Sequence, residues 1–277
     1  MMVGTLTPLQ YRKQIPFNAS PRTVLPFLAI LVSAAIAAIG WRLSALTGAG
    51  ALAAAAVGTS ILAATGWSGF LALGAFFAGS SLVSRLAPDR GVAFDAKGQR
   101  RDPWQVLANG GPAALGALVP GAGLWIVTAG LAASAADTWA TSVGAWSRVR
   151  PRHVLTGDSV DPGTNGGVTL LGTAGAAVGA ASVAAGPSIL TGEAVLFPAA
   201  LTVGMLGMLL DSFLGALLQG RFHCDRCDRP TERRAHRCGS AARHTGGLAW
   251  LSNDGVNALA SAAATVAGFV AWRVWGG

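Results

Sequence analysis

Residues Ala194–Gly220 read AVLFPAALTVGMLGMLLDSFLGALLQG, an apolar run with a single charge, Asp211. Crossing about 30 Å of hydrocarbon takes about 20 apolar residues in a helix, so this stretch is long enough to span a bilayer. It is also rich in Gly and Ala, as helices that pack closely in lipid are. The same pattern recurs outward from it at Val24–Trp41, Ala45–Thr65, Trp67–Leu86, Trp104–Val119, Gly121–Val143, Gly166–Gly186 and Gly246–Trp272. The expected fold class is therefore all-α: a polytopic helical membrane protein with about seven or eight transmembrane helices. A tail of residues 1–23 precedes a single transmembrane domain, residues 24–277. Trp104–Val119 is short and holds Asn109-Gly110-Gly111-Pro112, which predicts a broken or re-entrant segment; a membrane tolerates one only where protein or a cavity surrounds it.

Whole-chain composition agrees. Of 277 residues, 52% are hydrophobic and 12% charged, against about 25% charged in soluble domains. Mean hydropathy is +0.51. Disorder, a nucleic-acid-binding domain and a secreted disulfide scaffold are excluded as classes. The formal net charge of +8 comes from Arg-rich loops: Arg85 to Arg101, Arg148 to Arg152, and Arg221 to Arg243. Two spans separate each loop from the next, so all three share one face. The connections near Pro120 and Pro187–Glu193 carry no Lys or Arg. The positive-inside rule makes the basic face cytoplasmic, in an inner (plasma) membrane protein. Arg12 and Lys13 conflict with that rule if all three early segments cross.

Only three acidic residues fall within the spans: Asp137, Asp211 and Asp254. An ionisable group at mid-bilayer costs about 2.5–3.5 kcal/mol or more, so it is paired, hydrated or functional. Asp137 precedes Arg148 by 11 residues, Asp211 precedes Arg221 by 10, and Asp254 follows Arg243 by 11. Helical rise then puts all three about 15 Å from the basic face. No Lys or Arg in these spans can pair with them. Hard oxygen ligands in such a cluster suit Mg²⁺, with Asn253 and Asn257 beside Asp254, Thr138 beside Asp137 and Ser212 beside Asp211. Helix–helix salt bridging or capping is the structural alternative.

Two further motifs lie on the basic face. Pro162-Gly163-Thr164-Asn165-Gly166-Gly167 is a Gly-rich turn expected to open a helix, an arrangement that offers N–H groups to phosphate. Asn109-Gly110-Gly111 reads the same way. The loop at 221–245 holds Cys224, Cys227, His236 and Cys238, whose spacing suits a tetrahedral Cys₃His structural Zn²⁺ site, with His223 and His244 as rival fourth ligands. A reduced thiol cluster without metal is the alternative.

Five motifs in order, Gln105–Gly111, Asp137-Thr138-Trp139-Ala140-Thr141, Pro162–Gly172, Asp211–Ala216 with Gln219, and Asn253-Asp254-Gly255-Val256-Asn257, resemble the integral-membrane family of transmembrane protein 19 and plant phytyl-phosphate kinase. The resemblance runs from about Gly66 to Ala271. It implies a prenyl- or polyprenyl-phosphate kinase that takes a phosphoryl group from a nucleoside triphosphate such as CTP. Its partners would be the bilayer, an isoprenoid monophosphate and the nucleotide, with no nucleic acid. Asp137, Asp211, Asp254, Asn253 and Asn257 would act at the Mg²⁺ centre; Gly163–Gly167 and Asn109 would bind phosphate. The family motif often continues after Thr141 with Glu, where this chain has Ser142, so no role for that Glu transfers. The cysteine loop resembles prokaryotic members. A transporter or flippase of a phosphorylated lipid is the rival, since intramembrane carboxylates and broken helices also occur there.

Overall fold

Each early apolar segment starts or stops where the chain supplies a reason. The computed structural model describes residues 26–88 and 100–276. Seven helices run α1 Pro26–Arg42, α2 Gly48–Leu86, α3 Pro103–Gly116, α4 Gly123–Gly144, α5 Leu170–Thr191, α6 Leu196–Leu218 and α7 Asn253–Trp275. Thr47 caps α2 by accepting from Gly50 N–H at 3.0 Å. Asp102 caps α3 in a reciprocal box with Gln105. Thr169 and Ser252 cap α5 and α7.

α2 is 39 residues long but reverses at Gly66, whose φ of 65° and ψ of −159° are open essentially to glycine alone. A Cβ at Gly58 would lie 3.4 Å from the Phe70 ring, and one at Gly69 3.3 Å from Ile61. In a straight helix those pairs would stand about 18 and 12 Å apart along the axis. The two halves are therefore antiparallel, and eight helical segments correspond to the eight expected spans. By length and apolarity α2, α5, α6 and α7 can cross a membrane, and α1 is a shorter apolar helix.

Segment ends define two faces. On the basic face Arg85 donates to Leu43 O at 2.7 Å, and Arg101 N–H to Ala45 O at 2.9 Å. On the opposite face Trp125 Nε1 donates to Glu193 at 2.5 Å. Arg12, Lys13, Arg22, Arg90 and Lys97, with the tail of residues 1–23, lie outside the described residues.

α4 is the axis of the bundle, touching α2, α3, α5, α6 and α7. It is buried continuously from Trp125 to Ala136, which is why it shows no polar stripe. Small residues let its neighbours close in: a Cβ at Gly207 of α6 would lie 2.5 Å from Ala133, and one at Gly268 of α7 2.7 Å from Ala129.

Four expectations are corrected. α3 is one continuous helix despite Pro112 inside it, so the segment is not broken. The Gly-rich turn does not open a helix: β2 (Gly167–Val168), paired with β1 (Arg152–His153), intervenes before α5. Pro187 lies inside α5, and the connection on that face begins at Gly192 in a left-handed conformation. Gly246 closes β5 (Arg243–Gly246) rather than starting a span, so Asp254 sits in the first turn of α7 and not about 15 Å along a helix from Arg243. β5 joins β3 (Arg221–Cys224) and β4 (Arg229–Thr231) in a three-stranded antiparallel sheet of order β4-β3-β5, a small ribbon on the basic face.

Candidate active site

Asp137 lies about two turns inside the basic-face end of α4, and Asp211 about two turns inside that of α6. The close α4–α6 approach at Gly207 and Ala133 brings the two carboxyl groups within hydrogen-bonding reach of each other. They border a cavity with room for about one water molecule. Asn109 of α3 and Asn257 and Ser261 of α7 line it with them, and no Lys or Arg is among the lining residues. Asp211 Oδ1 and Asn257 Oδ1 are buried without a hydrogen-bond partner among the described residues. Two carboxyls facing one small cavity with orphaned oxygens around them call for a cation or a shared proton.

The structure thus brings together Asp137, Asp211, Asn257 and Asn109. Asn253 is exposed at the start of α7, and Asp254 lines a neighbouring, wider groove one turn before Asn257. Thr138 donates back to Ser134 O at 2.9 Å, and Ser212 does not line the cavity. Ser134 and Ser261 carry a function not evident in the motifs. Their hydroxyls donate to Asn109 O at 2.9 and 3.4 Å, tying α3 to α4 and α7 at the carboxylate level. Helical spacing is the signal for both: Ser134 precedes Asp137 by three residues, and Ser261 follows Asn257 by four.

The Gly163–Gly167 turn packs on the end of α6. A Cβ at Gly166, φ 76°, would lie 2.5 Å from Ala216 Cβ and 3.2 Å from Ser212 O, next to Asp211 in sequence. Within the turn, Thr164 N–H and Gly167 N–H donate to Asp161 O and Thr164 O, so these two are used locally. Asn165 is half-buried. Arg150 pairs with Asp161, and Arg152 donates to Gly157 O at 2.9 Å. The loop's cations thereby stiffen it.

On the ribbon, the ligand atoms of Cys224, Cys227, His236 and Cys238 all lie within 4.8 Å of one another, so the group can hold one metal ion. Cys224 and Cys238 sulfurs are 3.6 Å apart, close to the edge of a tetrahedron with metal–sulfur bonds of about 2.3 Å. Hydrogen bonding from His236, then from Ser240, holds the Cys238 thiol down at about 5, while hydrogen bonding with Cys238 and burial push Cys227 up to about 11. His223 instead bonds Asp228 at 3.1 Å, and His244 meets the Phe222 ring edge-on with centroids 5.4 Å apart. The segments flanking the ribbon tie to the end of α6 and to each other: Leu248 N–H donates to Leu218 O at 2.8 Å, and Gly220 N–H to Leu251 O, just ahead of α7, at 2.9 Å.

The family model of integral membrane protein DUF92 matches residues 31–265. An uncharacterized membrane protein of Methanocaldococcus jannaschii is 28% identical over 197 residues, covering 70% of this chain and 83% of that one. Protein PGR of Arabidopsis thaliana is 29% identical over 279 residues, covering 87% of this chain and 93% of that one. No solved structure matches significantly. A match that extends across every segment bearing the cavity residues settles the kinship that the motifs imply: the chain belongs to the DUF92 family of integral membrane proteins.

Proposed function

We propose that the protein is a membrane-embedded prenyl- or polyprenyl-phosphate kinase. It moves the γ-phosphoryl group of a nucleoside triphosphate, CTP in the first instance, onto an isoprenoid monophosphate at the cytoplasmic side of an inner membrane. The observation that carries this reading is the buried Asp137–Asp211 pair with the orphaned oxygens of Asp211 and Asn257 and no cationic neighbour in the cavity. That donor set, all hard oxygen in a water-sized space, fits Mg²⁺. Asp137, Asp211 and Asn257 would hold it, with Asp254 reaching in from the adjoining groove. Bound there, Mg²⁺ supplies charge neutralisation on phosphoryl oxygens.

An oxygen of the lipid phosphate attacks the γ-phosphorus, forming a P–O–P bond as the bond to the nucleoside diphosphate breaks. The protein's part is positioning and charge compensation. Asn109, fixed by Ser134 and Ser261, sets the floor of the cavity. The Gly163–Gly167 turn, seated on α6, faces the aqueous side from which a nucleotide arrives. Cys224, Cys227, His236 and Cys238 would hold a structural Zn²⁺, which fills its four positions and leaves none for substrate.

The test is purified protein in lipid nanodiscs with Mg²⁺, γ-labelled CTP and an isoprenoid monophosphate. Labelled isoprenoid diphosphate is the expected product. Movement of the lipid phosphate between leaflets of proteoliposomes with no nucleotide consumed would replace the kinase by a carrier.

A further inference from the structure

Beside the carboxylate cavity a second and much larger one, about 330 Å³, opens between α3 and α7. Leu107 and Ala108 wall it on one side, Gly255 and Ala258 on the other, with Trp104 at the rim and Asp254 at its polar end. Trp104 is 71% exposed and Leu107 43%, so the rim presents large apolar groups that none of the described residues covers. Trp104 is the second residue of α3, which places it near the basic face at interfacial depth, where indole rings settle in bilayers. The inner end reaches the carboxylates: Ala108 adjoins Asn109, and Asp254 lies one turn before Asn257 on the same face of α7.

An apolar trough with one polar end, open sideways at the interface, has the shape and polarity of an amphiphile. A nucleotide is polar throughout and comes from water. A partner helix needs a long face, whereas a space of this volume is of ligand size. We propose that the α3–α7 groove receives the hydrocarbon chain of the lipid monophosphate, chain against Trp104, Leu107 and Ala258, phosphate at the Asp254–Asn257 end. This rests on the kinase reading and adds the seam through which the acceptor arrives.

The experiment reads position, not only turnover. Full-length protein in nanodiscs is irradiated with an isoprenoid monophosphate carrying a diazirine on its chain, and the labelled peptides are identified by mass spectrometry. Label is expected in residues 103–108 and 253–259, suppressed by excess unmodified isoprenoid monophosphate. Ala258→Trp, which fills the groove, should cut that label and raise KM for the lipid about tenfold or more with KM for the nucleotide unchanged. Leu259→Trp, on the outward side of the same helix and 48% exposed, should do neither. Bound metal and melting temperature of both variants establish that they fold. Competed label in other helices, with kinase activity intact, overturns the groove and leaves the kinase standing. Label that ordinary phospholipid suppresses equally well overturns the groove as a specific site. Absence of both competed label and phosphoryl transfer overturns the groove together with the reading beneath it.

Discussion

Asp211 makes the heaviest demand on its surroundings, because its carboxyl faces that of Asp137 across one small cavity while one of its oxygens has no donor among the described residues. Asp137→Asn or Asp211→Asn should therefore abolish phosphoryl transfer yet leave the melting temperature of the metal-free protein unchanged or higher, since removing one of two buried like charges relieves their repulsion. A calorimetric Mg²⁺ titration beside a thermal melt checks both halves. Gly166→Val should displace the Gly-rich turn from α6, lowering stability by about 1–3 kcal/mol through its positive φ and weakening nucleotide binding. Nucleotide affinity unchanged in a folded variant would remove that turn from the site. The carboxylates were legible in the sequence because acids are so scarce in its apolar runs. Ser134 and Ser261 were not, because a serine in such a helix ordinarily bonds its own backbone, and only the relative rotation of α3, α4 and α7 turns these two toward Asn109.

At the scale of elements, the α2 hairpin hangs on one torsion. Gly66→Ala should cost about 1–3 kcal/mol, read as a fall in thermal stability in detergent, because a Cβ disfavours that backbone region. The ribbon hangs on its four ligands. Cys224→Ser should lose the roughly one zinc per chain that elemental analysis is expected to find, lower the melting temperature and weaken but not abolish Mg²⁺-dependent turnover. Zinc-free protein with full activity and stability would remove the metal from the account. Apolar windows made the helices legible, but α5 and α7 start inside theirs, at Leu170 and Asn253. There, short strands replace a helical turn: β2 pairs with β1 ahead of α5, and β5 pairs with β3 ahead of α7. Counting residues from Arg243 to Asp254 as helical rise fails for that reason: β5 and the connection to Ser252 consume most of the interval.

For the whole molecule, eight helical segments of alternating direction place the Pro26 end of α1 and the Trp275 end of α7 on the same side, opposite the Arg-rich loops. A fluorescent protein that matures only in the cytoplasm should therefore stay dark when fused after Gly277 and light up when inserted in the 221–245 loop; the reverse pattern would invert the orientation. The sidedness of the basic loops was legible from their spacing, whereas the seam between α3 and α7 depends on how helices distant in sequence meet. The reversal at Gly66 bears also on how the protein is made. A turn of one residue presents no hydrophilic loop to be carried across the bilayer, so the α2 hairpin can enter the membrane during synthesis as one unit, leaving on the far surface almost nothing for a protease or an antibody to reach. Because the pair adds two crossings at once, a chain lacking it would still deliver every later loop to its own compartment, and what it would lose is packing against α4 rather than orientation.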